Sequence, residues 1–365
     1  MKAKKRILVV DDSPFMRKLI VKSLESRASM EVIGVARDGN EAIEKIKELH
    51  PDAVTLDIQM PKMDGLTALK IIMRECPLPV VIVSSLSQEQ ADITLECLET
   101  GAVDFILKPS DDILMSRQDQ MKELALKVFS ACNIDVSHFK KNESPSSVSP
   151  KLYTKPVAPL YKKESVSIGS SFEKIVVIGI STGGPKNLLD VVPELPGYLN
   201  AYMFVIQHMP EFFTKSFADR LNHLSKIQVK ETEDGEMIRK GVVYIARGGF
   251  HTKVLEMSNK KYYVKHVDNS RENNLYVPSV DVTIESIAPI FRSRAIGVLM
   301  TGMGRDGVDG LKSIKGFLGQ TIAESKETAV IYGMPGVAVE EGCADFILPS
   351  YRIAEKIVEL VDGTT

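Results

Sequence analysis

The feature that most restricts this chain is an alternation of short β-branched apolar runs with amphipathic helical stretches, and it occurs twice. Runs at 6–10, 32–36, 53–56, 80–84 and 103–107 read as buried strands, with helical spacing at 14–26, 40–49, 66–74 and 89–100. A further helix is expected from about 111 to 131. Strands separated by helices of this length do not pair as hairpins. They form a parallel sheet with helices on both faces.

The pattern then stops. The stretch HFKKNESPSSVSPKLYTKPVAPLYKKESVSIGSS is rich in Ser, Pro and Lys, lacks sustained periodicity and reads as a flexible linker. A second alternation follows, with strands at 174–180, 201–207, 242–246, 261–266 and 295–300. Its helices are expected at 185–192, 214–224, 280–291, 307–316, 329–341 and 352–361, and its middle, 227–267, is strand-rich and suggests a hairpin. The expected fold class is therefore α/β: two doubly wound parallel-sheet domains, 1–131 and 173–365, joined by a linker at 132–172. A length of 365 residues suits two domains of roughly 100–200 residues each.

Composition removes several classes of function. The formal net charge is -2, so no basic excess exists to neutralise a phosphate backbone and nucleic acid is not an expected partner. No apolar run is long enough to cross a bilayer, so membrane insertion is not expected. The opening MKAKKRILVVDDS has a short apolar run ending in two Asp and does not read as a signal peptide. Cys76, Cys97, Cys132 and Cys343 are scattered with no CxxC pair, which disfavours a disulfide framework or zinc site and fits the cytoplasm.

In an open α/β sheet, ligands bind beyond the carboxyl ends of the strands. Asp11 and Asp12 follow the first expected strand, and Asp57 follows the third. Three clustered carboxylates repel one another unless a cation neutralises them, and oxygen ligands suit Mg²⁺. Ser84 ends the fourth strand and Lys108 the fifth; a hydroxyl and an ammonium would attract a phosphoryl group carried by Asp57. Helix capping explains any one of these acids alone. It does not explain five suitable residues on the ends of four strands.

The segments ILVVDDSPFMR, VTLDIQMPKMDG, VVIVSS and DFILKPS resemble the receiver domain of two-component response regulators over about residues 5–130. The resemblance implies a flavodoxin-like fold, Asp57 as phosphoacceptor, and Asp11, Asp12, Asp57 and the Gln59 carbonyl as Mg²⁺ ligands. It implies Ser84 and Lys108 as phosphate-sensing residues. Phe105 falls at the family's switch aromatic; read from the sequence alone it serves equally as a core residue.

The second site centres on KIVVIGISTGGP. A strand runs into Gly179-Ile180-Ser181-Thr182-Gly183-Gly184, and Pro185 suits a first helical turn. This matches a G-x-S-x-G elbow that exposes Ser181, although a glycine-rich anion loop has similar composition. A nucleophilic serine needs a base and an orienting acid. His208 ends the strand before it and Asp306 follows another strand, so all three sit at carboxyl ends. The order Ser, His, Asp differs from that of α/β-hydrolases. His223, His251 and His266 are weaker candidates, on a helix and in the strand-rich middle.

GISTGGP, QHMPEFFTKSFADRL, YVPSVDV, MTGMGRDGVDGL and YGMPGVAVEEGCAD together resemble the catalytic domain of chemotaxis protein-glutamate methylesterases over about 173–362. The resemblance implies a Rossmann-like domain with Ser181 as nucleophile, His208 as general base and acid, and Asp306 orienting His208. It implies the Met303 N–H in oxyanion binding, with Thr182 beside the nucleophile. The implied substrate is a glutamate γ-methyl ester on methyl-accepting chemoreceptors, with glutamine deamidation a possible second activity. A histidine kinase would be the phosphodonor, and the unphosphorylated receiver would cover the active site. No metal is implied for ester hydrolysis. Ile180, Glu211-Phe212, Arg247 and Val277 depart from the family pattern without removing a reacting group. A docking adaptor, a transcriptional regulator and an esterase of another substrate remain competing readings.

Overall fold

The structure, a computed structural model, describes residues 3–109, 117–134, 173–257, 260–269 and 276–363. The expected linker lies outside the described residues except at 132–134, as does the expected helical start at 111–116.

The first domain contains β1 (Lys5–Val10), α1 (Pro14–Glu25), β2 (Met30–Ala36), α2 (Gly39–Leu49), β3 (Ala53–Asp57), α3 (Gly65–Glu75), β4 (Val80–Ser84), α4 (Gln88–Thr100), β5 (Asp104–Leu107) and α5 (Arg117–Ala131). Its parallel sheet has the order β2-β1-β3-β4-β5. β3 and β4 are buried along their whole length because helices cover both faces, which is why they are apolar runs and not alternating ones. Ser13, Asp38, Asp64 and Ser87 cap α1 to α4, each accepting a backbone N–H from the first turn.

The second domain contains β6 (Lys174–Ile180), α6 (Gly184–Leu188), β7 (Ala201–Gln207), α7 (Phe213–Leu224), β8 (Gln228–Glu231), β9 (Val242–Ile245), β10 (His251–Met257) and β11 (Lys261–Val267). It continues with α8 (Val280–Phe291), β12 (Ala295–Leu299), α9 (Val308–Gly316), β13 (Gln320–Glu324), α10 (Met334–Glu340), β14 (Phe346–Leu348) and α11 (Ser350–Asp362). Seven parallel strands run in the order β14-β13-β12-β6-β7-β9-β8. β10 and β11 form the separate antiparallel hairpin expected from the middle region. The Thr283 hydroxyl of α8 donates to the Thr252 carbonyl of β10 at 2.8 Å and ties the hairpin to the sheet's covering helix.

Two helices differ from expectation. The α6 helix stops at Leu188, and the chain to 192 continues as tight turns with i→i−3 bonds from Leu189, Asp190 and Val191. The α10 helix starts at Met334, not Ala329, because the Ile331 carbonyl and N–H are committed to Gly302 and Thr301. The apolar core is continuous between domains: Leu95, Leu98 and Phe105 share one buried cluster with Leu188, Phe213 and Phe217.

Candidate active site

β1 and β3 are neighbours, so the residues at and just beyond their carboxyl ends meet. The ligand oxygens of Asp11, Asp12 and Asp57 lie within 4.8 Å of one another. Lys108, following β5, donates to Asp57 Oδ2 at 2.8 Å and stands 3.6 Å from Asp11 Oδ2. The Gln59 N–H lies 3.4 Å from Asp57 Oδ1. Ser84 Oγ accepts from Thr94 Oγ1 of α4 at 2.9 Å. Burial, then the charge of Asp57, pushes Asp11 up to about 6. Burial also raises Asp57, against the pull of Lys108. Asp11 Oδ2 is buried with no hydrogen-bond partner. A hard dication would supply both the missing partner and the missing positive charge, so these residues fit Mg²⁺.

In the second sheet β6 lies between β7 and β12. Their carboxyl ends deliver Ser181, His208 and the loop carrying Asp306 to one point. Ser181 Oγ is 3.0 Å from His208 Nδ1, and His208 Nε2 is 2.7 Å from Asp306 Oδ2. Asp306 is held on all sides: the Ser279 hydroxyl donates to Oδ1 at 2.8 Å, the Asp281 N–H to Oδ1 at 3.1 Å and the Val280 N–H to Oδ2 at 2.7 Å. Burial raises the Asp306 carboxyl, but the bond from His208, its charge and these N–H groups prevail and hold it well below the usual range. An ionised Asp306 keeps a proton on Nε2 and leaves the Nδ1 lone pair facing Ser181. The ring nitrogens are thus exchanged relative to chymotrypsin-type triads.

The turn after β6 is shaped by glycine. Gly183 has φ +78°, and a Cβ on Gly184 would lie 2.1 Å from the Gln207 side-chain oxygen. The Ser181 N–H is occupied, donating to the Thr301 carbonyl at 2.9 Å. The N–H groups of Thr182 and Met303 have no acceptor among the described residues. Both lie beside Ser181, and free N–H groups there can receive an oxyanion.

Sequence reasoning missed three residues around this site. Glu324, at the end of β13, is fully buried and accepts from the Thr301 N–H at 2.7 Å, Asn187 Nδ2 at 2.6 Å and Thr328 Oγ1 at 2.7 Å, tying the elbow to the turn after β12. Asp281 is a second carboxyl beside Asp306, raised by burial and then by the Asp306 charge. Tyr276 stacks on the His208 imidazole, with ring centres 4.3 Å apart and planes 5° apart. In the sequence it opens the segment YVPSVDV, where no role was assigned to it. His251, by contrast, is buried under Ser279, whose N–H it accepts on Nδ1 at 3.2 Å.

The first domain lies over this site. Thr182 Oγ1 donates to Asp104 Oδ2 at 2.6 Å, and Ser130 Oγ donates to Met303 Sδ at 3.1 Å. Phe105 and Phe213 stack with centres 4.6 Å apart and planes 7° apart. The side chains of Glu99 and Arg220 pair, as do those of Gln88 and Ser216. Phe105, buried in the apolar core, is thus also an interdomain contact. With the domain in place Ser181 is only 6% exposed.

Two family models match the chain, CheB methylesterase over 176–357 and response regulator receiver domain over 7–117. A protein-glutamate methylesterase/protein-glutamine glutaminase of Carboxydothermus hydrogenoformans is 46% identical, covering 98% of this chain and 99% of that protein. One from Thermotoga maritima is 45% identical over 98% of each. Among solved structures, the Thermotoga maritima CheB methylesterase catalytic domain is 48% identical with a TM-score of 0.50, covering 52% of this chain and 98% of that one.

Proposed function

The chain belongs to the CheB methylesterase family and carries a response regulator receiver domain, and on that premise we propose that it is a phosphorylation-activated protein-glutamate methylesterase. Its substrates are glutamate γ-methyl esters, and glutamine side chains, on methyl-accepting chemoreceptors. It acts in the cytoplasm in chemotactic adaptation, with a histidine kinase as phosphodonor. No described helix is long and apolar enough to cross a membrane, which suits that setting. We assign 1–131 to the receiver, 132–172 to a linker and 173–365 to the catalytic domain.

The observation that carries the reading is the unbroken Ser181–His208–Asp306 chain, with contacts of 3.0 and 2.7 Å. Ser181 Oγ attacks the ester carbonyl as its proton passes to His208 Nδ1, and the N–H groups of Thr182 and Met303 receive the oxyanion. Protonated His208 gives that proton to the leaving methoxy oxygen, which departs as methanol, or to the amide nitrogen of glutamine, which departs as ammonia. Water, deprotonated by His208, then attacks the acyl-enzyme; the products are glutamate and free Ser181. Asp306 holds the imidazole in its tautomer and balances the imidazolium charge.

Regulation works through the first domain. Asp11, Asp12, Asp57 and the Gln59 carbonyl would hold Mg²⁺, which when bound supplies positive charge for a phosphoryl group arriving among carboxylates. Asp57 is the acceptor; Lys108 and Ser84 then face the phosphoryl group. Asp104 and Ser130 contact the side chains of Thr182 and Met303, so the receiver covers the two residues whose N–H groups are proposed to bind the oxyanion. Phosphorylation favours separation of the domains.

Acid-quenching a reaction with a methylated receptor peptide and mapping the modified tryptic peptide by mass spectrometry tests the chemistry. An acyl group on the Ser181 peptide, lost in Ser181→Ala, is expected. Turnover with adduct on another residue would refute the assignment.

A further inference from the structure

Residues Tyr276 to Asp281 wrap the His208–Asp306 pair from two sides. Three groups, the Ser279 hydroxyl and the Val280 and Asp281 N–H, hold the carboxylate. On the other side, Tyr276 lies flat against the imidazole. Ser279 caps α8 and so fixes the position from which Tyr276 projects. The phenol oxygen reaches over the turn after β12, where a Cβ on Gly304 would stand 3.6 Å from it. Burial, and then the charge of Glu123, raises the phenol above its ordinary value.

These positions give the ring two effects on the base. A face-to-face contact restricts rotation of the imidazole about its Cβ–Cγ bond. That matters here because both nitrogens are in use: a flip would put Cδ2 where Nδ1 faces Ser181 and Cε1 where Nε2 faces Asp306. The ring also presents its electron-rich face to a group that becomes cationic in each transition state. A cation over an aromatic face is attracted to it, and more strongly where water is excluded, as it is around His208, whose side chain is only 7% exposed. The attraction is larger for imidazolium than for imidazole, so it favours the transition state over the ground state.

We propose that Tyr276 is a positioning residue for His208, acting by its ring and not by its hydroxyl. The inference rests on the triad proposed above. It assigns kcat, not substrate affinity, to a side chain outside the triad.

The test uses full-length protein with Mg²⁺ and saturating acetyl phosphate, methylated receptor membranes as substrate, and methanol release as the readout. Tyr276→Phe keeps the stack and should retain kcat within about twofold, whereas Tyr276→Leu should lose roughly ten- to thirtyfold in kcat with KM nearly unchanged. Acylation of Ser181 by a fluorophosphonate probe should slow in parallel, because it needs the same base. The ratio of activity with and without phosphodonor should stay at the wild-type value. Tyr276→Met, a second flexible replacement, substitutes if the leucine variant does not fold by circular dichroism.

Four outcomes would overturn the proposal. These are wild-type kcat in the leucine or methionine variant, equal losses in the Phe and Leu variants, a change confined to KM, or a collapsed phosphodonor ratio. The last would make Tyr276 an interdomain contact. Failure of the triad reading shows separately, as activity or probe labelling that survives Ser181→Ala with Tyr276 intact.

Discussion

Replacing Phe105 by alanine should turn the enzyme on without phosphate. Phe105 is buried between domains and stacks on Phe213. A phenylalanine buries ~200 Å²; assigning about half to the far domain gives ~100 Å², or about 2.5 kcal/mol at ~25 cal/mol/Å². Stacking adds about 1 kcal/mol beyond area. Relaxation around the gap recovers part of this, so the closed arrangement should weaken by about 3 kcal/mol, roughly a hundredfold in the closed-to-open ratio. The Glu99–Arg220 pair is about one-third exposed and offers at most about 1 kcal/mol to compensate. Methanol release measured without phosphodonor should therefore rise towards the phosphorylated rate and gain little on adding acetyl phosphate. Phe213→Ala should do the same from the other domain, and the double variant should exceed neither single one by much, since both remove one stack. Basal activity unchanged in both single variants, with the phosphodonor response intact, would refute a closed state held by this stack.

Asp306→Asn should lower kcat by roughly 10³–10⁴-fold, since the amide no longer fixes the Nε2-protonated tautomer, and activity assays on folded variant should show it with KM little changed. Asp57→Asn, or chelation of Mg²⁺ by EDTA, should abolish the response to acetyl phosphate and leave the basal rate unchanged; a response that survives both would exclude Asp57 as acceptor. Burial holds Glu324 up to about 7, despite the donors Thr328, Thr301 and Asn187, from an ordinary 4.5. The folded chain therefore binds that proton more tightly than the unfolded chain, so stability falls as pH rises from 4.5 to about 7, by at most about 3 kcal/mol, and levels off above. Melting temperatures of Glu324→Gln between those pH values should lack this contribution, and a slope equal to wild type would contradict it.

Most elements that build the two sheets were legible because full burial writes itself as uninterrupted apolar runs, as in VVIVS at 80–84 and AYMFVIQ at 201–207. Strands without that signature were not: Gln320–Glu324 carries two polar ends and Phe346–Leu348 has only three residues. The early start assigned to the helix at Met334 has a similar cause. Of the residues at 329–333 only Ala329 strongly favours a helix, and Ile331 is held by the turn at Thr301 and Gly302, a constraint from a distant strand. At the site, Ser181, His208 and Asp306 were legible because each follows a strand, and strand ends mark where ligands bind. Glu324, Asp281 and Tyr276 were not, because they act through neighbours brought close by the fold. The same holds for the Asp104–Thr182 and Phe105–Phe213 contacts, which cross between domains and leave no periodicity in either.

The central claim is that one serine performs the hydrolysis and that the receiver governs access to it. The direct measurement is methanol release from methylated chemoreceptor membranes by full-length protein, with and without Mg²⁺ and acetyl phosphate, beside Ser181→Ala. Release that rises with the phosphodonor and disappears in the alanine variant is expected. Release that persists in Ser181→Ala would contradict the catalytic assignment, and release by wild type that ignores the phosphodonor would contradict the regulatory one.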